Sequence, residues 1–141
     1  MKVVETDSSA ATEAVGAELA TLLTAGDVVY VRGELGSGKT TLVRGACRAL
    51  GVAGPVTSPT FAIAHRYRTP GGLVVAHVDL YRVGGGLEAE DPDLLADYLG
   101  GDAITFIEWP PERPATLGSS PRLTVELSHI DGERRRVEVR G

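Results

Sequence analysis

The sequence predicts an α/β fold in a single domain, with a mixed sheet built around a parallel core. A continuous apolar run at 28–31 is typical of a strand that is buried on both faces, as strands of parallel sheets are. Helical patterns at 10–24 and 40–50 stand before and after this run. Later runs of apolar and alternating residues predict further strands, among them antiparallel hairpins that extend the core.

The two helices are predicted from apolar residues at helical spacing. In the first helix, at 10–24, these residues are Ala11, Val15, Leu19 and Leu22. Gly26 is its expected C-terminal cap, before the strand that closes at Gly33. The second helix, at 40–50, has an apolar face separate from Arg44 and Arg48, made of Val43, Ala46, Cys47 and Leu50. We therefore expect Cys47 to be a small core residue rather than a reactive thiol.

The remaining elements are predicted from short runs and turn signals. Strands are expected at 61–67 and 73–79, around the turn Thr69-Pro70-Gly71-Gly72. Asp91-Pro92 predicts the start of a helix at 91–99, since Pro is favoured in the first turn. A third apolar run follows at 103–107, and two alternating segments at 123–127 and 137–139 end the chain.

Length, composition and charge narrow the class of protein. The chain has 141 residues, which is about one domain. Its net charge of −5 argues against the broad positive field that non-specific nucleic-acid binding needs. The single cysteine excludes an intrachain disulfide and a cysteine-based zinc site. Without an apolar stretch of about 18 residues or a signal peptide, we expect a cytoplasmic protein with no membrane contact.

The segment GELGSGKT, from Gly33 to Thr40, fits the phosphate-binding pattern G-x-x-x-x-G-K-[ST]. Its glycines let backbone N–H groups approach phosphate oxygens, and the following helix points its positive end at them. The ammonium of Lys39 is expected at the β- and γ-phosphates, and the Thr40 hydroxyl on Mg²⁺. The predicted nucleotide-binding residues are Gly33, Glu34, Leu35, Gly36, Ser37, Gly38, Lys39, Thr40 and Thr41. The fold class is thus a single P-loop NTPase-type domain, with helices and antiparallel hairpins flanking the parallel core.

A P-loop enzyme also needs an acidic group for its metal, and two candidates end apolar runs. They are Asp79 and Glu108, each at the C-terminal tip of a predicted strand, where ligands bind in open α/β sheets. Thr60 could offer a hydroxyl to the γ-phosphate or to Mg²⁺, although its spacing alone favours a simple Ser/Thr turn. His77 lies inside a predicted strand and is expected to be packed rather than catalytic.

Four motifs together resemble the TsaE (YjeE) family of small bacterial P-loop ATPases, which are required to make threonylcarbamoyladenosine in tRNA. In chain order they are GELGSGKTTLVRG, SPTF, HVDLYR and IEWP. The resemblance covers nearly the whole chain and implies one ATPase domain at 1–141. It implies ATP and Mg²⁺ as cofactors and TsaD and TsaB as partners, with tRNA reached indirectly through the complex.

The resemblance also implies roles for individual residues. Lys39, Asp79, Glu108 and Thr60 match the family's active-site positions, and Thr40, Glu108 and Asp79 its metal site. Glu34 and Ser37 depart from the residues often found there, and we expect little effect because both face the phosphates only through the backbone. The role of Trp109 stays open, with a packed aromatic ring favoured. Residues 6–12 and the final hairpin are candidates for adenine contacts. The acidic stretch 84–99 departs from the family, because it is richer in Gly and acidic residues than the usual family segment.

Two other functions share the P-loop. A small-molecule or nucleotide kinase generally brings arginines from a mobile lid to the transferring phosphoryl group. Residues 83–104 contain six acidic residues and no Lys or Arg, so this segment cannot serve as a basic lid. A nucleotide-dependent binding module without useful turnover is the second alternative, which ATP hydrolysis with and without partners would distinguish.

The final hairpin carries a turn signal at Asp131-Gly132 and a run of three arginines. A strict two-residue loop would mix apolar and charged faces, so we expect a three-residue loop or a bulge, with Gly132 at positive φ. Two registers remain open, which set Val137 opposite either Val125 or Leu127. Either one places Arg134 and Arg136 on the face opposite Val137, in solvent, against a partner or on tRNA phosphates.

Overall fold

The computed structural model describes residues 2–56, 64–80, 101–110 and 121–141. Within these ranges it contains two helices and seven strands, and the strands form a single sheet. In chain order the elements are β1 (Lys2–Thr6), α1 (Ser9–Ala20), β2 (Val28–Gly33), α2 (Lys39–Ala49), β3 (Ala64–Arg68), β4 (Val74–Asp79), β5 (Ala103–Glu108), β6 (Leu123–Asp131) and β7 (Arg134–Arg140).

The sheet has the order β1-β7-β6-β2-β5-β4-β3, with a parallel core and antiparallel flanks. β2 lies between β6 and β5 and runs parallel to both, and β5 runs parallel to β4. β3 pairs antiparallel with β4, and β7 pairs antiparallel with both β6 and β1. This arrangement confirms the predicted α/β class, and it brings the C-terminal ends of four parallel strands to one edge.

α1 begins where predicted and ends earlier. The Ser8 hydroxyl accepts a hydrogen bond from the Ala11 N–H at 3.1 Å and caps the N-terminus. The helix ends at Ala20 rather than near residue 24, and Leu22, the last member of the predicted apolar stripe, is 54% exposed. The prediction for Gly26 was also wrong, since the C-cap of α1 is Thr21, five residues earlier. Gly26 has φ of 94°, and its N–H donates to the Ala103 carbonyl at 3.0 Å and sets the turn into β2.

The two helices contact each other through glycines. A Cβ atom on Gly16 would lie 2.1 Å from the Leu42 carbonyl oxygen, and one on Gly45 would lie 2.0 Å from the Glu13 carbonyl oxygen. Only glycine therefore permits this approach of the backbones. The helix pair belongs to one continuous core with the sheet, in which Cys47 is fully buried, as predicted. Burial raises the pKa of the Cys47 thiol to about 12, which keeps it protonated.

The strands at the other edge of the sheet agree with the sequence where they are described. β3 and β4 form the predicted antiparallel pair, and the Thr69 N–H donates to the Leu73 carbonyl at 2.8 Å across the predicted turn. The first part of the predicted strand at 61–67 lies outside the described residues. So do the loop with Thr60, the predicted helix at 91–99 and the acidic stretch 84–99.

The final hairpin has one of the two predicted registers. Val125 pairs with Val139, and Leu127 pairs with Val137. The register shifts between His129 and Asp131, and Gly132 has φ of 45°, which confirms both the bulge and the positive φ. Register follows burial here, because these four apolar residues all lie in the core.

Candidate functional site

The P-loop joins the C-terminal end of β2 to the N-terminus of α2, as predicted. Gly33, Gly36 and Gly38 have φ of 152°, 77° and 101°, which side chains with a Cβ rarely adopt. Gly38 is the N-cap of α2 and offers no side chain to the first-turn N–H groups. Those groups are therefore open to an anion, and the helix dipole favours negative charge there.

Lys39, the first residue of α2, is only 5% exposed. Its ammonium donates to the Gly33 carbonyl at 2.7 Å and to the Glu34 carbonyl at 2.8 Å. It also lies 4.4 Å from the centre of the Trp109 ring, within reach of a cation–π interaction. Burial lowers the pKa of Lys39, while the carboxylates of Glu108, Asp79 and Glu34 act in the opposite direction.

Thr40 and Glu108 meet beside this lysine. The Thr40 hydroxyl donates to the Glu108 carboxylate, at 3.0 Å to Oε2 and 3.3 Å to Oε1. Glu108 ends β5, directly beside β2, and is 3% exposed. Its Oε2 also hydrogen-bonds Nε2 of His77, which is fully buried on β4. The structure thus brings together the predicted metal-binding hydroxyl and one predicted carboxylate.

These oxygens fit a magnesium ion. Thr40 Oγ1 and Glu108 Oε2 are hydrogen-bonded at 3.0 Å, so the two oxygens lie close enough to share one cation. Asp79 is in register with Glu108 on the neighbouring strand and lines the same cleft. The donor set of hydroxyl and carboxylate oxygens is the type that Mg²⁺ prefers.

Most of the predicted site residues line a cleft of about 310 Å³. The predicted residues that line it are Leu35, Gly36, Gly38, Lys39, Thr40, Thr41, Asp79 and Glu108. Glu34 is exposed and the Ser37 side chain is buried, and neither residue lines the cleft. Thr60 lies outside the described residues.

The structure adds Trp109 and Arg135 to the lining of this cleft. Trp109 has φ of 57°, the one positive φ of a non-glycine residue within the described ranges. Its ring is partly buried against the core on the second face of the sheet, so the expected packing and the contact with Lys39 coexist. No sequence signal indicates this backbone conformation.

Arg135 was missed although the sequence contained a signal for it. In β7 the residues alternate between faces, and Arg135 is in phase with the buried Val137 and Val139. Arg134 and Arg136 are exposed on the other face, as predicted, and pair with acidic side chains. Arg134 lies 3.1 Å from Asp131, and Arg136 lies 3.4 Å from Glu138.

A smaller side cleft of about 70 Å³ adjoins the main one. It is lined by the start of α1, the start of α2 and the final hairpin, through Ser9, Thr12, Gly38, Thr41, Glu133 and Arg135. The two segments proposed from the sequence for adenine contacts, 6–12 and the final hairpin, therefore meet next to the P-loop.

None of the helices in the described ranges has both the length and the apolar character needed to cross a membrane. The described elements instead form one sheet with a ligand cleft at the carboxyl ends of its parallel strands. A buried strand leads into GELGSGKT and a helix, and an acidic residue ends the adjacent strand. This combination defines a P-loop nucleotide-binding protein.

The chain belongs to the TsaE family. The family model described as "Threonylcarbamoyl adenosine biosynthesis protein TsaE" matches residues 6–137, which confirms the resemblance seen in the motifs. A TsaE protein of Streptomyces coelicolor, named for tRNA threonylcarbamoyladenosine biosynthesis, is 46% identical over 120 residues, or 84% of this chain and 79% of that protein. The protein of the same name from Aquifex aeolicus is 33% identical over 142 residues, or 99% and 96% of the two chains.

A solved structure supports the same fold. The crystal structure of Bacillus subtilis YdiB matches with a TM-score of 0.71 and 26% sequence identity. The match covers 96% of this chain and 82% of that one. Nearly the full length of this chain therefore shares its fold with an experimentally determined structure.

Proposed function

We propose that this protein binds ATP with Mg²⁺ and hydrolyses it to support threonylcarbamoyladenosine formation in tRNA, at the adenosine next to the anticodon. The observation that carries the nucleotide part is the 3.0 Å contact between Thr40 and Glu108, beside the Lys39 ammonium at the P-loop. The tRNA part rests on the family and on the names of its relatives. One domain at 1–141 would do this work in the cytoplasm.

The phosphate chain of ATP would lie along the start of α2. N–H groups of the loop and of the first helical turn would donate to its oxygens, and Lys39 would contact the β- and γ-phosphates. Charge-assisted hydrogen bonds of this kind are about twice as strong as neutral ones. Because the Lys39 ammonium is already beside the loop, only its side chain has to turn toward the phosphates.

Thr40 and Glu108 would hold Mg²⁺, with Asp79 as the second carboxylate on the adjacent strand. When bound, Mg²⁺ would neutralise the charge that develops on the phosphoryl group and its leaving oxygen. The Nε2–H of His77 donates to the Glu108 carboxylate on the buried side, so the carboxylate is held at the end of β5. The hydroxyl of Thr60, by family resemblance, would complete this site.

Hydrolysis would proceed by attack of water on the γ-phosphorus. The bond from that phosphorus to the bridging oxygen of ADP breaks as the new bond to the water oxygen forms. Lys39 and the P-loop N–H groups would stabilise the oxygens on which charge accumulates. Turnover alone is expected to be weak, with TsaD and TsaB as the partners that make it productive.

Reconstitution of the modification tests the proposal. We expect tRNA to acquire threonylcarbamoyladenosine when TsaD, TsaB and this protein are supplied with ATP and the other substrates. Omitting the protein, or replacing it with its Lys39→Ala variant, should abolish repeated turnover. Equal modification with and without the protein would overturn the role in tRNA modification, and ATP binding that Lys39→Ala leaves unchanged would overturn the nucleotide site.

A further inference from the structure

We propose that Arg135, on the final hairpin, is a nucleotide-contacting residue that binds the α-phosphate side of the ligand. The proposal rests on the proposed function, because it assigns a further residue to the same nucleotide site. Arg135 lines both the main cleft and the side cleft.

The two clefts share Arg135, Gly38 and Thr41, whereas Lys39 and Glu108 line only the main one. A triphosphate whose γ-end lies at Lys39 and Glu108 would therefore direct its nucleoside end past Gly38 and Thr41. The Nε atom of Arg135 lies 3.8 Å from the position that a Cβ on Gly38 would occupy. The guanidinium is thus next to Gly38, the N-cap of α2, where the side cleft adjoins the main one.

The charge of Arg135 is available to an anionic ligand. Its Nη1 donates to the Gly132 carbonyl at 2.9 Å and to the Arg134 carbonyl at 3.0 Å, which fixes the side chain in place. A guanidinium has five N–H donors, so those on Nε and Nη2 remain. Among the residues that the structure describes, Arg135 forms no ion pair, while Arg134 and Arg136 each do.

Among the described residues, Arg135 would therefore be a second cation at the site, separate in role from Lys39. Lys39 contacts the β- and γ-phosphates, so its contribution depends on the γ-phosphate. Arg135 would contact an oxygen that both ATP and ADP possess. Its hydrogen bonds to two carbonyls of the hairpin turn would also tie that turn to the bound nucleotide.

Calorimetric titration with ATP–Mg²⁺ and ADP–Mg²⁺ tests this assignment. For Arg135→Gln we expect Kd to rise at least about tenfold for both nucleotides, equivalent to about 1.4 kcal/mol. Arg134→Gln is the matched control, because it removes the same charge one residue away on the solvent face, and its Kd should stay within about twofold of wild type. Lys39→Ala should weaken ATP binding more than ADP binding.

The outcomes separate the two proposals. Wild-type protein that binds neither nucleotide would overturn the proposed function itself. Wild-type binding together with an unchanged Kd for Arg135→Gln would overturn only the role of Arg135, as would equal losses in Arg134→Gln and Arg135→Gln. If Arg135→Gln does not fold, Arg135→Lys provides the test, since it keeps a cation but not the two-pronged donor geometry, and an unchanged Kd in that folded variant would count against the contact.

Discussion

Lys39 carries a buried positive charge whose close partners are carbonyl oxygens and an aromatic ring. Burial lowers its pKa, and the nearby carboxylates only partly oppose that effect. Keeping a buried ammonium at this position therefore lowers the free energy of unfolding. A purely structural residue would not require this cost. Replacement of Lys39 by alanine should therefore leave the fold intact while weakening ligand binding.

For Lys39→Ala we expect a folded protein that has lost ATP hydrolysis and most of its stabilisation by ATP. At about 100 times Kd, ligand binding adds about 2.7 kcal/mol to the free energy of unfolding of the wild type. Thermal unfolding with and without ATP–Mg²⁺ measures this gain. Lys2→Ala is the control, since Lys2 is the other lysine of the chain and its exposed ammonium pairs with Glu18. Equal stabilisation of wild type and Lys39→Ala would contradict the assignment of the P-loop.

The two carboxylates give a second prediction. Glu108→Gln and Asp79→Asn should keep the fold but lose turnover, and the magnesium concentration needed for the remaining activity should rise. A magnesium titration of ATP hydrolysis measures both effects. Wild-type activity in Asp79→Asn would leave Glu108 as the one acid of the site and assign Asp79 a structural role.

Single residues show where sequence reasoning succeeds and where it stops. The P-loop was predictable because its residue types stand at a fixed local spacing, and the end of an apolar run made Glu108 one of two candidate carboxylates. The contact between His77 and Glu108 was not predictable, because it joins neighbouring strands whose pairing the sequence does not state. Arg135 was predictable in part. The alternation along β7 indicated that it shares a face with Val137 and Val139, but not that this face borders the cleft.

At the scale of elements, α1 and α2 form a pair whose separation is set by two glycines. The carbonyl of Glu13 approaches Gly45 so closely that even a methyl group would meet it at 2.0 Å. Helix spacing in proteins is usually set by side chains at 8–10 Å between the axes, and small residues allow closer approach. Since α2 begins at the P-loop, α1 supports the helix that presents Lys39 and Thr40.

We therefore expect Gly45→Ala to lower the free energy of unfolding by about 1–3 kcal/mol, the range for overpacked sites. Gly71→Ala is the control, because a Cβ there would meet only the Thr69 hydroxyl at 4.0 Å and the backbone is not left-handed. Denaturant unfolding of both variants measures the difference. An unchanged midpoint for Gly45→Ala would show that the helices can separate without cost.

The helix boundaries illustrate a limit of periodicity. Apolar spacing extended the first helix to residue 24, yet the chain leaves the helix at Ala20. Asp27 accepts a hydrogen bond from the Thr24 N–H at 2.8 Å, so a local turn competes with the last helical turn. The hairpin register was predictable because burial of four apolar residues allows few pairings.

For the molecule as a whole, the net charge argues against direct binding of tRNA by the isolated protein. A net charge of −5 does not provide the counterion release that drives non-specific binding to nucleic acids. The arginines on the solvent face of β7 also pair with acids of the chain itself. These ion pairs favour a solvated strand end over a surface that binds phosphates.

We expect the isolated protein to show no tRNA binding at micromolar concentration in about 150 mM salt. Fluorescence polarisation with labelled tRNA measures this, and the same titration with TsaD and TsaB present is the positive control. Tight binding by the isolated protein, weakened steeply by added salt, would show that part of its surface collects enough positive charge to act alone.

The hydrogen bonds of Lys39 to its own loop set a condition on what the protein can bind. Because the ammonium already has two carbonyl partners and an aromatic ring, a ligand must replace these contacts rather than supply the first ones. Affinity then depends on how much more strongly the ammonium interacts with the ligand oxygens than with the carbonyl oxygens that they displace. A monophosphate offers few charged oxygens for that exchange, whereas a polyphosphate offers many. The loop would thus discriminate among metabolites by their charge before any contact with a base is made.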